Sequence, residues 1–89
     1  MTIKTLEKIH DLLRTDVKTR QAALDLTRKA YNDRQDERER ILADVDSTND
    51  PALVSATKLY ISSKAAYDRA RQGFYEAHAA LEEFESKNF

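Results

Sequence analysis

The chain has 89 residues, which allows one small domain, and its net charge of −1 argues against a basic face for nucleic acid or for a membrane surface. One glycine and one proline are too few turn residues for a β protein, and the absence of cysteine excludes disulfides and thiolate chemistry. No apolar run approaches the roughly 20 residues of a membrane-spanning helix, and the first residues lack the apolar core of a signal peptide. These features predict an all-α, cytoplasmic protein with neither nucleic-acid nor membrane partners.

The first half of the chain is predicted to be helical, with a seven-residue repeat whose face is apolar near the N-terminus and at 41–45 and polar over 32–40. The two columns of this repeat are Ile3, His10, Val17, Leu24, Tyr31, Arg38 and Val45, and Leu6, Leu13, Arg20, Thr27, Arg34 and Ile41. Thr15 is an acceptable N-cap, and Asp16 favours a first helical turn. We therefore expect a short helix at about 3–14 and a long helix at about 16–46. The alternative is a single helix, which would extend beyond its partner by about two turns or more.

A hinge at 47–50 separates the two halves of the chain. Asp50 is a good N-cap, and Pro51 suits the first helical position, where a missing N–H group costs no hydrogen bond. A second long helix is therefore predicted over about 51–87, with Gly73 as its one weak point.

The second helix carries the clearest packing pattern. Its central column is Leu53, Tyr60, Tyr67, Phe74 and Leu81, and the adjacent column is Ala56, Ser63, Ala70, Ala77 and Phe84. A flanking column is Ala52, Leu59, Ala66, Gly73 and Ala80. Large side chains beside small ones let a neighbouring helix approach closely. The pattern predicts a long, coiled-coil-like antiparallel hairpin.

A hinge near Asn49 sets the register of this hairpin. The expected pairs are Tyr31 with Tyr67, Leu24 with Phe74, Leu13 with Phe84, and Arg38 with Tyr60. The same register places Arg34 near Ser63 and Lys64. It also brings Arg14 and Lys18 alongside the acidic cluster of Glu82, Glu83 and Glu85, where they would offset an unfavourable interaction with the helix dipole.

A two-helix hairpin leaves apolar surface uncovered. Val54, Ile61 and Tyr75 form a second column about 100° around the helix from the central one, and Leu12 and Leu26 lie outside the first helix's main face. We therefore expect a homodimer or higher oligomer, most simply a four-helix core. The residues assigned to packing within and between hairpins are Leu53, Val54, Leu59, Ile61, Phe74, Tyr75, Leu81 and Phe84.

No catalytic or metal-binding set stands out in the sequence. His10 and His78 lack the several convergent ligands of a zinc site, so we assign them to packing or solvent. The mid-helix serines have no positioned base, and there is no glycine-rich phosphate loop. We predict no enzymatic activity, no metal and no cofactor.

One polar constellation is a candidate ligand site. Its members are Arg34, Arg38, Tyr60, Lys64, Tyr67 and Arg71. The cations can bind phosphate or carboxylate, and tyrosine rings can stack on bases. The competing interpretation is that the arginines lie over the tyrosine rings with their aliphatic stems packed, while acids such as Glu37 and Asp68 neutralise them.

Two main functional hypotheses follow. The leading one is a non-enzymatic, homo-oligomeric module that binds another protein as an adaptor, assembly factor or inhibitor. The alternative is a protein that binds a small anion or nucleotide through the Arg/Tyr patch. Asp50-Pro51 followed by Ala56 is similar in type to the second-helix opening of phage proteins that sequester cyclic-nucleotide signals, which would imply a viral signal sponge. A third hypothesis is an enzyme, because residues 6–14 resemble the first helix of all-α chorismate mutases, although the downstream pattern does not follow. Neither similarity is long enough to assign a family.

Overall fold

The fold is an antiparallel pair of long helices. The computed structural model describes residues 2–89. Within that range, α1 spans Ile3–Asp44 and α2 spans Pro51–Asn88, with no strand. The Cα atoms extend over 67 × 15 × 14 Å, the shape of a single hairpin. The predicted all-α hairpin is confirmed, and neither helix includes a stretch long and apolar enough to cross a membrane.

The predicted break at Thr15-Asp16 is wrong, because α1 continues through it as one helix of 42 residues. The carboxylate of Asp16 accepts a hydrogen bond from Nε of Arg20 at 3.3 Å, an i,i+4 pair on the helix surface. Leu13 and Val17 are both half-buried, so the apolar repeat keeps its phase across the expected break. Continuous packing against α2 outweighs a local capping signal, since capping contributes only about 1 kcal/mol.

The hinge follows the local chemistry that the sequence predicts. The side chain of Asp50 caps α2, its Oδ1 accepting a hydrogen bond from the Ala52 amide at 2.9 Å, and Pro51 is the first helical residue. At the other end of the hinge, α1 stops at Asp44, two residues earlier than expected, and Val45 is extended. A second cap lies at Thr2, whose hydroxyl accepts from the Thr5 amide at 3.2 Å.

The predicted interface columns lie between the helices. All ten members of the central and adjacent columns of α2 are buried or half-buried. On α1 the exceptions are Ile3 and Arg20, which are exposed. Only Leu24, Leu53, Ala56 and Ala77 are buried among the described residues, and each keeps a few per cent of its surface exposed. The core of the isolated hairpin is therefore a single narrow seam.

The residues assigned to packing divide into two groups. Leu53 is buried, and Phe74, Leu81 and Phe84 are half-buried in the seam. The other four are exposed to solvent in the single chain: Val54, Leu59, Ile61 and Tyr75. The seam accounts for the first group, and the second group has no covering element within the hairpin.

Gly73 offers a test of the seam's tightness. A Cβ at this position would lie 2.8 Å from Nη1 of Arg20, the flexible end of an exposed side chain. We expect Gly73→Ala to stabilise the protein by roughly 0.5–1 kcal/mol, because the guanidinium can move aside and alanine is the better helix former. Urea unfolding measures the change.

Ala66→Gly is the matched control, one heptad earlier in the same column. It should destabilise the protein by a similar amount. A loss of stability in Gly73→Ala would mean that Arg20 is held rigidly over the glycine.

Candidate functional site

Three tyrosines form the centre of the predicted patch. Tyr31 of α1 lies between Tyr60 and Tyr67 of α2, with ring centroids 5.4 Å and 5.6 Å away. The hydroxyls of Tyr31 and Tyr60 are 3.1 Å apart and share a hydrogen bond. All three side chains are half-buried. The predicted pairing of Tyr31 with Tyr67 is confirmed.

Arg38 lies over the Tyr60 ring, as the register predicts. Its guanidinium carbon is 5.7 Å from the ring centroid, and its Nε donates to Oγ1 of Thr57 at 3.1 Å. Among residues 2–89, no carboxylate lies within 4.0 Å of this guanidinium. Arg38 is therefore a half-buried cation whose partners are a neutral hydroxyl and an aromatic face.

The other cations of the patch have different surroundings. Arg34 donates to Glu37 at 3.1 Å within α1, and its placement near Ser63 and Lys64 stays a prediction. A residue three positions along the same helix is its nearer partner. Arg71 pairs with Asp68 at 3.4 Å and lies 5.5 Å from the Tyr67 centroid.

The structure thus joins only part of the patch. Arg38, Tyr60 and Tyr67 gather around Tyr31, Arg71 lies at the edge, Lys64 is exposed, and Arg34 is paired with an acid. The pairing of Arg34 and Arg71 with carboxylates favours the interpretation in which acids neutralise the patch and tyrosine rings support the arginine stems.

The tyrosine cluster raises the pKa of Tyr31. The hydrogen bond with Tyr60 raises the pKa of Tyr31 above its ordinary value near 10, and desolvation and the negative charge of Asp68 act in the same direction. The neutral hydroxyl is therefore favoured in the folded state. Its contribution to stability is fully present below pH 10 and is lost as the pH rises through the folded-state pKa.

Tyr60→Phe removes the shared hydrogen bond. We expect the Tyr31 pKa to fall toward its ordinary value, measured by NMR titration of ring-labelled tyrosine. Tyr75→Phe is the control, because Tyr75 is exposed and has no contact with Tyr31. An unchanged Tyr31 titration in Tyr60→Phe would contradict the assigned cause.

A shallow groove adjoins the patch on the hinge side. It measures about 320 Å³ and is lined by Arg38, Leu42, Thr48, Leu53, Val54, Thr57 and Lys58. Sequence reasoning missed Leu42 and Thr57 because they lie outside the two main columns. The seven-residue repeat could have predicted them, because Leu42 follows Ile41 and Thr57 follows Ala56, and both of those residues belong to the interface columns.

A second polar contact closes the far end of the hairpin. Nε2 of His10 is 3.0 Å from Oε2 of Glu85, and the imidazole lies 5.9 Å from the Phe84 ring and 4.9 Å from the Phe89 ring. The sequence predicts packing or solvent exposure for His10 but does not predict these partners. The predicted register already places His10 opposite the end of α2, so these contacts could have been predicted from it.

The acidic cluster near this end is paired differently from the prediction. Glu82 contacts His78 at 3.4 Å, Glu83 contacts Lys87 at 2.8 Å, and Glu85 contacts His10. Arg14 and Lys18 form no ion pair within 4.0 Å in the described part of the chain. His78–Glu82 and Glu83–Lys87 are i,i+4 pairs within α2, so they form within one helix and do not depend on α1.

Residues 2–89 contain no group of three or more His, Cys, Asp or Glu side chains placed to hold a metal ion. Comparison of the chain with protein-family models, with curated proteins and with solved structures finds no match.

Proposed function

We propose that this chain is a non-enzymatic helical-hairpin interaction module that acts as a homo-oligomer and binds another protein as an adaptor, assembly factor or inhibitor. One observation carries the proposal. Four side chains are buried in residues 2–89, whereas nine large apolar side chains are between 39% and 74% exposed.

The physical basis is the geometry of two helices. Each helix covers only one side of the other, and long helices in water depend on tertiary packing for stability. Exposed apolar side chains that recur on one helical face mark surfaces for association. Pairing two hairpins into a four-helix core supplies the missing coverage most simply.

Sedimentation equilibrium at micromolar concentration tests the oligomer. We expect a dimer or a higher assembly whose mass is an integral multiple of the chain mass of 10.2 kDa. A monomer across the whole concentration range would contradict the proposal.

The outward side chains Leu12 and Leu26 of α1 are candidates for the surface that binds a different protein. They are 62% and 71% exposed and two heptads apart, so they share one helical face. A photo-crosslinking residue at Leu26 should give one discrete heterologous adduct in the native cells, and the same residue at exposed Lys29 is the control. Adducts with the same chain alone, or none, would contradict the binding role.

A second candidate function is binding of a small anion or nucleotide at the Arg/Tyr patch. It is favoured by Arg38, a half-buried cation without a carboxylate partner among the described residues, and by the cluster of tilted tyrosine rings beside it. A thermal-shift panel of nucleotides and dianions tests it. A rise in Tm that disappears in Arg38→Glu and Arg71→Glu but persists in Arg69→Glu supports this function, and no rise with any compound rejects it.

A further inference from the structure

The groove on the hinge side of the tyrosine cluster combines apolar side chains with two cations. Leu53 lines it and is buried, whereas Leu42 and Val54 line it and are 44% and 39% exposed. Arg38 and Lys58 add positive charge to the same lining. We call this surface the hinge groove.

The charge of the hinge groove differs from that of other grooves on the hairpin. Among the described residues that line it, two are cations and none is acidic. Four other shallow grooves each have at least as many carboxylates as cations in their lining, and the whole chain has a net charge of −1. Of these five grooves, the hinge groove is therefore the one whose charge is complementary to an anion.

Both cations of the hinge groove have donor groups that can bind an anion. Nε of Arg38 donates to Oγ1 of Thr57 at 3.1 Å, and this bond does not use Nη1 or Nη2. In the part of the chain that the structure describes, no carboxylate lies within 4.0 Å of Arg38 or Lys58. The Thr57 hydroxyl accepts from Arg38 and keeps its own hydrogen for a second acceptor. These are the donors that bind a carboxylate most strongly.

The acids beside these cations in sequence are engaged elsewhere. Glu37 contacts Arg34 at 3.1 Å, and Glu39 lines a different groove. In the hinge, Oδ1 of Asp50 accepts from the Ala52 amide at 2.9 Å, at the end of α2 where the helix dipole is positive. The positive charge of the hinge groove therefore remains available to an external anion.

The number of available cations favours a ligand with a single negative charge. Arg34 and Arg71 of the Arg/Tyr patch contact Glu37 and Asp68. Among the described residues, Arg38 is the one arginine of the patch without a carboxylate within 4.0 Å. A polyphosphate would bring several charges to this one arginine, whereas a carboxylate matches its two terminal nitrogens with two oxygens.

The apolar lining determines the rest of the ligand. Leu42, Leu53 and Val54 have no side-chain group that can form a hydrogen bond. A hydrocarbon packs on them without leaving a polar group unpaired, whereas the main chain of a peptide would lose its hydrogen bonds to water there. The volume of about 320 Å³ is at the lower end for small-molecule sites, so the hydrocarbon is short.

We propose that the hinge groove binds a free short-chain alkyl carboxylate. The carboxylate accepts hydrogen bonds from Arg38 and Lys58, and the alkyl chain packs on the three apolar side chains of the groove. This inference rests on the second candidate function, anion binding beside Arg38, and it specifies the ligand class and the side of Arg38 on which the ligand lies. Because the groove is shallow, a small probe should have a dissociation constant on the order of a few millimolar.

Titration with hexanoate, followed by NMR of the isotope-labelled protein, tests the ligand class. We expect saturable shifts of the Val54 and Thr57 amides. Acetate lacks the alkyl chain and hexanol lacks the charge, so each should bind about tenfold more weakly or less. Binding of either compound as tightly as hexanoate would overturn the proposal. Tighter binding of N-acetylleucine, which carries the carboxylate of a peptide end, would overturn the choice of a free alkyl carboxylate.

Substitutions test the site. Arg38→Gln should weaken hexanoate binding about tenfold or more. Arg40→Gln makes the same change at an exposed position of α1 outside the groove, and it should leave binding unchanged. Equal effects of these two variants would overturn the hinge groove as the site.

A second variant keeps the test independent of the packing of Arg38 on Tyr60. Val54→Asp places a negative charge at an exposed position of the groove, so it should abolish hexanoate binding while circular dichroism shows an unchanged helix content. Unchanged binding in this folded variant would also overturn the proposal.

Adding hexanoate to the thermal-shift panel separates this inference from the function on which it rests. A rise in Tm with hexanoate that disappears in Arg38→Gln supports the inference. A rise with a nucleotide but not with hexanoate would overturn the inference and leave anion binding at the patch supported. No rise with any compound, and no NMR shift with hexanoate, would contradict both.

Discussion

Leu24→Ala is expected to destabilise the protein by about 2–5 kcal/mol, the range for truncating a buried leucine. Leu24 is the one buried side chain of α1 and is only 6% exposed. Truncation removes apolar contacts at the middle of the hairpin, where the ends of the helices cannot adjust to fill the space. Urea unfolding followed by circular dichroism measures the loss.

Leu26→Ala is the matched control for this prediction. Leu26 lies on the same helix two residues further on, and it is 71% exposed. The same truncation there should change the free energy of unfolding by less than about 0.5 kcal/mol. Equal losses at the two positions would mean that α1 packs against its partner through a different face.

Asp16→Pro is the second substitution with a large expected effect. Asp16 lies inside α1, so proline there removes a main-chain hydrogen bond and its ring clashes with the preceding turn. We expect a loss of about 3 kcal/mol or more, measured by chemical unfolding of the variant and the wild type.

The control for this substitution is Asp16→Ala, which removes only the exposed pair with Arg20. That change should cost under about 1 kcal/mol. If helices instead met at Thr15-Asp16, the proline would occupy a first helical position and be tolerated. A proline variant as stable as the alanine variant would therefore support a break in α1 at this position.

The tyrosine cluster has a structural role whether or not it binds a ligand. Tyr31 joins the two helices through ring contacts with Tyr60 and Tyr67 and through a hydroxyl contact. Arg38 covers the cluster from the hinge side. The candidate site and the central part of the seam are therefore the same residues, and substitutions that test binding there need a stability measurement beside them.

Much of this architecture follows from residue spacing alone. The columns that begin at Leu53 and Ala56 repeat every seven residues, and a helix must place such residues on one face. Asp50 and Pro51 define the start of α2 because their preferred backbone conformations suit only that position. The register follows from the hinge, since a short connection leaves two long helices little freedom to slide.

Only the tertiary structure decided the features that depend on competition between partners. Whether α1 breaks at Thr15 depended on weighing a capping signal against packing along α2, and continuous packing prevails. Arg34 could reach α2 or its own helix, and it bonds to Glu37. The free energies of pairing with alternative nearby partners differ by only about 1 kcal/mol, so the sequence alone does not decide between them. The spacing of apolar residues is a property of the sequence, whereas the partner of each long polar side chain depends on which groups the folded helices bring within reach.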